Sequence, residues 1–280
     1  MSALPPPTAR VAMRAIRQGD DAHGVRVAPE ETPVAFVYDG GSEAVMMATP
    51  QDLEDLALGF SLNEGIIGRP EEILGMDVAQ QASGIELRLW LAPDRGGALA
   101  HRRRHRAGPT GCGLCGVESL EDAMRPLPRI SSPLLVTPDA IVAGMREMAA
   151  LQGLNRETRA VHAAGFFVPG EAVAVVREDV GRHNALDKLA GALARAGRSP
   201  ATGVILMTSR ISVELVQKAA AMGAPVLAAV SAPTALALRT ADAAGVTIAG
   251  VVRDDGLEVF THAWRIATAP DERAGAVDAA

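Results

Sequence analysis

The stretch that decides the fold is VILMTSRISVELVQKAAAMGAPVLAAV, residues 204–230. Its two apolar runs, 204–207 and 226–230, have the length of buried strands, and the segment 212–222 between them has the length of a helix that ends at Gly223. A strand, a helix and a strand of these lengths are typical of a βαβ unit in a parallel sheet. The sequence therefore predicts an α/β protein.

The same alternation continues on both sides of this stretch. A strand and a helix precede it, and a helix and a strand follow it before the chain closes as a hairpin around Asp254-Asp255-Gly256. We therefore predict parallel strands with helices on both faces of the sheet. The additional predicted strands are 172–176, 246–252 and 257–261, and the additional predicted helices are 184–196 and 234–244.

The N-terminal half has a different pattern, with four short strand-like runs and one helix that starts after Thr49-Pro50. This predicts a smaller α+β subdomain. The change in pattern divides the chain into four segments. We expect a partly disordered lead-in at 1–30, an N-terminal subdomain at 31–130 with a mobile loop at about 92–116, a C-terminal domain at 131–268 and a tail at 269–280.

Composition restricts the class of protein. The formal net charge of −6 disfavours a protein that coats nucleic acid, and two cysteines three residues apart exclude a disulfide framework. The uncharged run 219–238 is long enough for a membrane span, but Pro225 and Pro233 break it, so we interpret it as buried helix, strand and helix. Residues 1–10 have no apolar run of a secretory signal. We expect a cytoplasmic protein without a membrane or nucleic-acid partner.

Both cysteines lie in the hexapeptide GCGLCG, residues 111–116. A dinucleotide-binding G-x-G-x-x-G would follow an apolar strand, whereas residues 104–110 form a basic loop. A structural zinc site needs a second cysteine pair and a zinc deaminase needs His-x-Glu, and the sequence contains neither. A thioredoxin-like dithiol and a buried structural pair remain as alternatives, but the flanking glycines favour exposed, reactive thiols at Cys112 and Cys115.

The run HRRRHR, residues 101–106, lies close to these thiols in the sequence. Neighbouring cations favour the thiolate, so we predict a lowered pKa for Cys112 and Cys115. The alternative interpretations of the run are a solvated surface and a nucleic-acid patch, and the second is disfavoured because no aromatic residues are interleaved with the arginines.

Polar residues follow three predicted strands at the point where a helix begins. In an open parallel sheet such positions meet at the carboxyl ends of the strands, where helix N-termini favour anions. Each segment alone is also consistent with an ordinary helix cap or turn, but together they predict one crevice for an anionic ligand. The residues concerned are Asp179, Arg182 and His183 after the first strand, Ser209 and Arg210 after the second, and Ser231 after the third.

Four motifs in order resemble the FdhD/NarQ family of sulfur carriers that mature formate dehydrogenase. They are TGCGLCG at 110–116, EDVGRHNALDK at 178–188, TSRISVELVQK at 208–218 and VFTH at 259–262, and LALGFSLNEGII at 56–67 extends the resemblance over about 30–262. The resemblance implies a cytidine-deaminase-like three-layer α/β/α domain that lacks the zinc site. It also implies a homodimer.

The implied activity is sulfur transfer. A cysteine desulfurase gives sulfur to Cys112 as a persulfide, Cys115 assists or releases the sulfur by forming a disulfide, and the acceptor is molybdenum bis(molybdopterin guanine dinucleotide) bound for the formate dehydrogenase catalytic subunit. The implied cofactor-contacting residues are Val251, Val252, Arg253, Asp254, Asp255 and Gly256. The alternative is a cofactor-binding chaperone that uses its cysteines only for redox sensing.

Two departures from the family pattern lie in the C-terminal domain. Asp254 and Asp255 stand where the family more usually has small or basic residues. The family's T-H-x-A is replaced by VHAA at 161–164.

Overall fold

The structure is a computed structural model that describes residues 4–95 and 126–268. It begins with a two-stranded antiparallel ribbon of β1 (Thr8–Arg17) and β2 (Asp20–Pro29). The prediction of a partly disordered lead-in at 1–30 is therefore wrong for the residues in this ribbon. The turn at Gln18-Gly19, where Gly19 has a φ of 82°, closes the hairpin. The side chains of β1 are largely exposed, so the sequence shows little of the apolar alternation that would have predicted a strand.

The N-terminal sheet has the strand order β4-β3-β6-β5, in which β3 and β6 are parallel and the outer pairs are antiparallel. Helix α1 covers one face because alternate residues of β3, including Val34 and Phe36, are fully buried and pack with Leu56 of α1. The bounds are β3 Thr32–Tyr38, β4 Gly41–Ala48, α1 Leu53–Asn63, a 3-10 helix at Pro70–Glu72, β5 Ile73–Gln81 and β6 Gly84–Leu91.

The C-terminal sheet has six strands in the order β12-β11-β10-β9-β7-β8. Strands β9, β10 and β11 are parallel, as predicted, but β7 is antiparallel to both β9 and β8, and β12 is antiparallel to β11. The sheet is therefore mixed. The bounds are β7 His162–Phe167, β8 Val175–Asp179, β9 Val204–Met207, β10 Val226–Ala229, β11 Thr247–Arg253 and β12 Gly256–Val259.

Within the described residues, four helices flank this sheet on its two faces. Helices α4, α5 and α6 pack against one face, where Ile205 and Leu227 are buried, and α2 packs against the other, where Leu206 and Ala228 are buried. This confirms the predicted three-layer α/β/α arrangement. The helix bounds are α2 Pro138–Leu151, α3 Gly153–Thr158, α4 Arg182–Arg195, α5 Val213–Ala221 and α6 Ala235–Ala244, with 3-10 helices at Pro200–Thr202 and Ala263–Arg265.

The N-terminal and C-terminal sheets are joined where α1 crosses α4 with a very small distance between the two helix backbones. A Cβ atom on Gly59 would lie 1.7 Å from the carbonyl oxygen of Asp187, and one on Gly191 would lie 2.0 Å from that of Asp55. The buried Asp55 carboxylate also binds Arg177 at 2.7 Å and Arg195 at 3.0 Å. Close backbone packing and a shared carboxylate therefore fix the N-terminal helix on the C-terminal domain.

Two predictions near this junction need correction. The strand predicted at 172–176 runs instead over Val175–Asp179, and its antiparallel partner β7 was missed because an alanine- and glycine-containing strand buried on both faces shows no alternation. Thr49 does not cap α1, since its hydroxyl accepts the N–H of Val180 at 3.1 Å. No helix in the described part of the chain is long and apolar enough to cross a membrane.

Candidate functional site

The carboxyl ends of four strands share one edge of the C-terminal sheet. The loops that follow β9, β10 and β11 are tied side by side, because Thr234 N–H donates to Ile211 at 3.0 Å and Val251 N–H donates to Ser231 at 3.4 Å. Strand β7 is antiparallel to both β8 and β9, so β8 runs in the same direction as β9 and ends at the same edge of the sheet. The structure thus brings the predicted polar segments to one sheet edge, which we call the carboxyl-edge crevice.

Strand β7, which was not predicted, runs antiparallel between the strands that carry the first and second segments. Its first residue, His162, lies at the crevice between the segment after β8 and the segment after β9. The Thr208 hydroxyl accepts the N–H of Ala163 at 2.9 Å and lies 3.5 Å from His162 Nδ1. Burial, followed by the charge of Arg182, lowers the pKa of His162. Sequence analysis noted His162 only as part of an altered motif and missed it as a site residue.

Asp179 shapes the turn before α4 and is not available to a ligand. Its carboxylate is completely buried, binds Lys188 Nζ at 2.7 Å and accepts N–H groups from Thr49, Gly181 and Asn184. These four partners use the hydrogen-bonding capacity of its two oxygens. The prediction that Asp179 binds the cofactor is therefore wrong, and its role is to position the segment that carries Arg182 and His183.

Helices α4 and α5 begin at the crevice without side-chain caps. Gly181 and Ser212 are their N-cap residues, and neither makes a capping side-chain hydrogen bond within the described part of the chain. Helices α2 and α6, by contrast, are capped by the hydroxyls of Thr137 and Thr234. Side-chain caps therefore do not occupy the first N–H groups of α4 and α5, apart from the N–H of Glu214, which bonds to its own carboxylate.

The beginnings of α4 and α5 meet in a group of four side chains, which we call the α4–α5 cluster. His183 Nε2 lies 4.0 Å from Glu214 Oε2, which is beyond hydrogen-bond length. Each side chain has one buried polar atom without a hydrogen-bond partner among the described residues. These atoms are Arg182 Nε, His183 Nε2, Ser212 Oγ and Glu214 Oε2.

The electrostatics of the cluster follow from burial and from its charged neighbours. Burial, reinforced by the cations of Arg182 and Lys218, lowers the pKa of His183 to about 4. Burial alone would raise the pKa of Glu214, but the nearby Ser212 hydroxyl, its own backbone N–H and His183 outweigh burial and lower it. At neutral pH the cluster therefore contains a neutral imidazole and an ionised carboxylate.

Ser209, Arg210 and Ser231 occupy the loops after β9 and β10, as predicted. The Ser209 hydroxyl is buried and donates to the carbonyl of Arg210 at 3.1 Å, while Arg210 itself is exposed and Ser231 is half-buried. Arg210 can therefore add a cationic side chain at the rim of the crevice.

The segment 251–256 forms the far wall of the same edge. Val251 has a φ of 51°, an uncommon conformation for a β-branched residue, within a register shift between β11 and β12. Val252 is buried, Arg253 donates to the carbonyl oxygens of Val230 and Val252, and Asp254 forms an exposed ion pair with Arg146 at 2.6 Å. Asp255 is exposed and Gly256 begins β12. The two aspartates thus stand at the outer end of this wall.

The predicted reactive thiols Cys112 and Cys115 and the arginine-rich run 101–106 lie outside the described residues. Their assignment stays a prediction from the sequence.

A cavity of about 410 Å³ lies elsewhere, where the ribbon, α3 and β8 meet. Two of the charged groups that line it are already paired, because Arg177 binds Asp55 and Glu178 accepts the N–H groups of Leu154 and Asn155 at 2.8 Å. We therefore place the candidate site at the carboxyl-edge crevice and not in this cavity.

Comparisons with known proteins agree on one family. A model described as the FdhD/NarQ family matches residues 29–267. A protein of Agrobacterium fabrum named sulfur carrier protein FdhD is 55% identical over 92% of this chain and 95% of its own length. A protein of the same name from Cupriavidus necator is 48% identical over 94% and 92%. The crystal structure of a protein from Desulfotalea psychrophila superimposes with a TM-score of 0.74 at 24% identity, covering 94% of this chain and all of that one.

Proposed function

The chain belongs to the FdhD/NarQ family, and we propose that it carries sulfur as a cysteine persulfide to a molybdenum cofactor required by formate dehydrogenase. The sulfur donor is a cysteine desulfurase, the acceptor is molybdenum bis(molybdopterin guanine dinucleotide) and the final recipient is the formate dehydrogenase catalytic subunit. The acting form is a homodimer. The relatives' name, sulfur carrier protein, supports the general role, and the chemistry below supports the particular substrates.

The observation that carries the proposal is the pair of uncapped helix N-termini at the carboxyl-edge crevice. Free N–H groups and the positive ends of helix dipoles stabilise the diphosphate of a nucleotide. Arg182 and Arg210 add charge-assisted hydrogen bonds to the phosphate oxygens. The segment 251–256, which the family resemblance associates with the cofactor, completes the crevice on its far side.

The sulfur steps use the two cysteines of the sequence. The Cys112 thiolate attacks the outer sulfur of the desulfurase persulfide, so that one S–S bond breaks, another forms and the desulfurase thiolate leaves. The Cys115 thiolate then attacks Cys112 Sγ, which forms a disulfide and releases hydrosulfide to replace an oxygen ligand of molybdenum as hydroxide leaves. A cellular dithiol reductant restores both thiols.

Mass spectrometry of the full chain tests the carrier step. After incubation with a cysteine desulfurase and cysteine, we expect the intact mass to increase by one sulfur atom, which a reductant removes. Cys112→Ala should prevent the increase, whereas Cys115→Ala should retain the persulfide because its release is blocked.

A second measurement is formate dehydrogenase activity in cells that do not make this protein and are supplied with each variant. Both cysteine variants should fail to restore activity. A Cys112→Ala chain that still gains the sulfur and restores activity would show that Cys112 is not the carrier.

A further inference from the structure

Strand β1 leaves one edge of the ribbon without a neighbouring strand. Among the described residues, β1 (Thr8–Arg17) pairs with β2 alone. Helix α3 packs against β2, where Arg26 Nη2 donates to the carbonyl oxygen of Thr158 at 3.2 Å. The outer N–H and C=O groups of β1 can therefore pair with another strand. A two-stranded ribbon is only marginally stable by itself, so this additional pairing would stabilise it.

The same strand exposes several large apolar side chains. Val11 and Met13 are 41% and 40% exposed, and Ile16, near the turn, is 72% exposed. Side chains alternate along a strand, so Val11 and Met13 point to one face of the ribbon and Ile16 points to the other. An open edge strand with exposed apolar side chains is a template for pairing with another chain. The ribbon is therefore a candidate interface.

A second copy of β1 can pair with this edge across a two-fold axis. The two strands then run antiparallel, and each residue faces the residue at the same distance on the other side of the axis. Facing residues point to the same side of the sheet, so the axis passes beside a residue and not between two residues. Only a few registers are therefore possible, and the arginines of β1 distinguish between them.

The register centred on Met13 places no like charges opposite each other. It pairs residues 9–17 of both copies, with Met13 facing Met13 and Arg10 facing Ile16. The other two arginines of β1 face alanines. The aliphatic stem of Arg10 then covers Ile16, the most exposed apolar side chain of the ribbon.

The neighbouring registers are unfavourable because they bring arginines together. A pairing centred on Ala12 places Arg10 opposite Arg14, and one centred on Arg14 places Arg14 opposite itself. Like charges directly opposite each other destabilise a pair of strands. Registers centred farther from Met13 pair fewer residues. The charges of β1 are therefore compatible with a second copy of the same strand, and they select one register.

We propose that the β1 edge is part of the homodimer interface, where the two ribbons join into one four-stranded antiparallel sheet in the register centred on Met13. This assignment rests on the homodimer proposed above and names a surface that forms it. In the joined sheet, Val11, Met13 and Ala15 of both copies form one continuous apolar row. The new backbone hydrogen bonds and the burial of this row both favour the dimer.

Cysteine crosslinking of the full chain tests the surface and its register, with Cys112 and Cys115 replaced by serine so that only the new thiol reacts. Facing residues of an antiparallel pair lie about 4.5–5.5 Å apart, within the range of a disulfide. Under a mild oxidant, Met13→Cys should therefore give a disulfide-linked dimer. Arg10→Cys and Ile16→Cys should link to each other when mixed, and neither should link to itself, because identical positions then lie about 20 Å apart.

The matched control for crosslinking is Val25→Cys. Val25 is 56% exposed but lies on β2, away from the β1 edge, so it should link far less than Met13→Cys. Sedimentation equilibrium gives an independent measurement. Met13→Asp places two carboxylates opposite each other and should raise the dissociation constant of the dimer by about tenfold or more. Leu74→Asp, at a 67% exposed leucine of β5, is its control and should leave the constant unchanged.

The outcomes separate this interface from the homodimer itself. A wild-type dimer in which Met13→Cys links no better than Val25→Cys, or in which Met13→Asp leaves the dissociation constant unchanged, overturns the interface and leaves the homodimer standing. The β1 edge is then open to a different partner, such as the cysteine desulfurase. A wild-type chain that sediments as a monomer overturns the homodimer and this interface together.

Discussion

Lys188 shows how a residue far from any ligand determines the shape of the crevice. Its ammonium group is completely buried, binds Asp179 at 2.7 Å and donates to the carbonyl of Thr49 at 3.0 Å. This contact connects the loop after β4 with the turn before α4. The same turn sets the positions of Arg182 and His183, so the buried ion pair organises the site without touching a ligand.

Replacing Lys188 by methionine should destabilise the chain severely. The substitution keeps most of the apolar part of the side chain but leaves the Asp179 carboxylate buried without its counter-ion, which costs about 3–5 kcal/mol. Urea unfolding measures this loss. Arg14→Met is the control, because it breaks an exposed ion pair with Asp21 and should change the unfolding midpoint little. A Lys188→Met chain as stable as the wild type would contradict the organising role.

His183 should remain neutral well below the pH at which an exposed histidine becomes charged. Its pKa is lowered to about 4, so the unfolded chain binds a proton below about pH 6.5 that the folded chain binds only near pH 4. The stability contributed by the neutral imidazole is therefore complete above about pH 6.5 and decreases as the pH falls, by about 3 kcal/mol in total.

Two measurements check this behaviour. NMR titration of the imidazole should place the midpoint for His183 near 4, and His183→Gln should flatten the decrease in stability between about pH 6.5 and 4. His23→Gln, on the ribbon, is the control and should leave that decrease unchanged. A His183 midpoint near the ordinary value would show that the α4–α5 cluster is open to water.

At the scale of elements, the crossing of α1 over α4 depends on two glycines. Gly59 and Gly191 face the partner backbone so closely that a methyl group would overlap a carbonyl oxygen. Gly59→Ala should therefore force the helices apart and destabilise the chain by about 1–3 kcal/mol or more. Gly153→Ala is a matched control, since the nearest atom to its new methyl group is 3.9 Å away. Thermal unfolding separates the outcomes, and equal stability of both variants would mean that the crossing adapts freely.

The elements also show what could be predicted from the sequence. Strand β9, Val204–Met207, was located to the residue because its apolar run is bounded by Gly203 and a polar turn. Strand β7 was missed because Ala163, Ala164 and Gly165 carry little strand propensity, and its burial depends on long-range pairing with β9. Because β7 was missed, the prediction had no antiparallel strand between β8 and β9, and His162 was not recognised as a site residue.

The sequence predicted some residues of the candidate site and missed others. Arg182, His183 and Arg210 follow strands at a helix start, a local pattern that sequence analysis recognises. Ser212 is the N-cap residue of α5 and Glu214 lies in its first turn, where polar residues are ordinary, so only the approach of α5 to α4 reveals them. The burial of Asp179 likewise depends on Lys188 and Thr49, which are distant in sequence.

The mixed sheet carries the charged crevice at one edge, and helix α1 of the N-terminal subdomain packs on α4, which begins at that crevice. The buried Lys218 binds Asp187 of α4 at 2.9 Å and Glu64, just after α1, at 3.1 Å. Burial would lower the pKa of Lys218, but these two carboxylates outweigh burial and raise it. Helices α1, α4 and α5 are therefore tied together directly behind the α4–α5 cluster.

This arrangement predicts that the full chain binds guanosine diphosphate through its phosphates, with an affinity that falls as salt increases. Salt screens charge interactions at a partly open crevice, whereas it affects stacking and hydrogen bonding of a base much less. Combining Arg182→Ala with Arg210→Ala should weaken binding by about tenfold or more, since each arginine supplies a charge-assisted hydrogen bond. Calorimetry at low and high salt measures both effects.

Arg69→Ala, at an exposed arginine of the N-terminal subdomain, is the control and should bind like the wild type. If guanosine binds as tightly as its diphosphate, or if the double variant keeps full affinity, the crevice does not hold phosphate, and the sulfur-transfer proposal then rests on the cysteines alone.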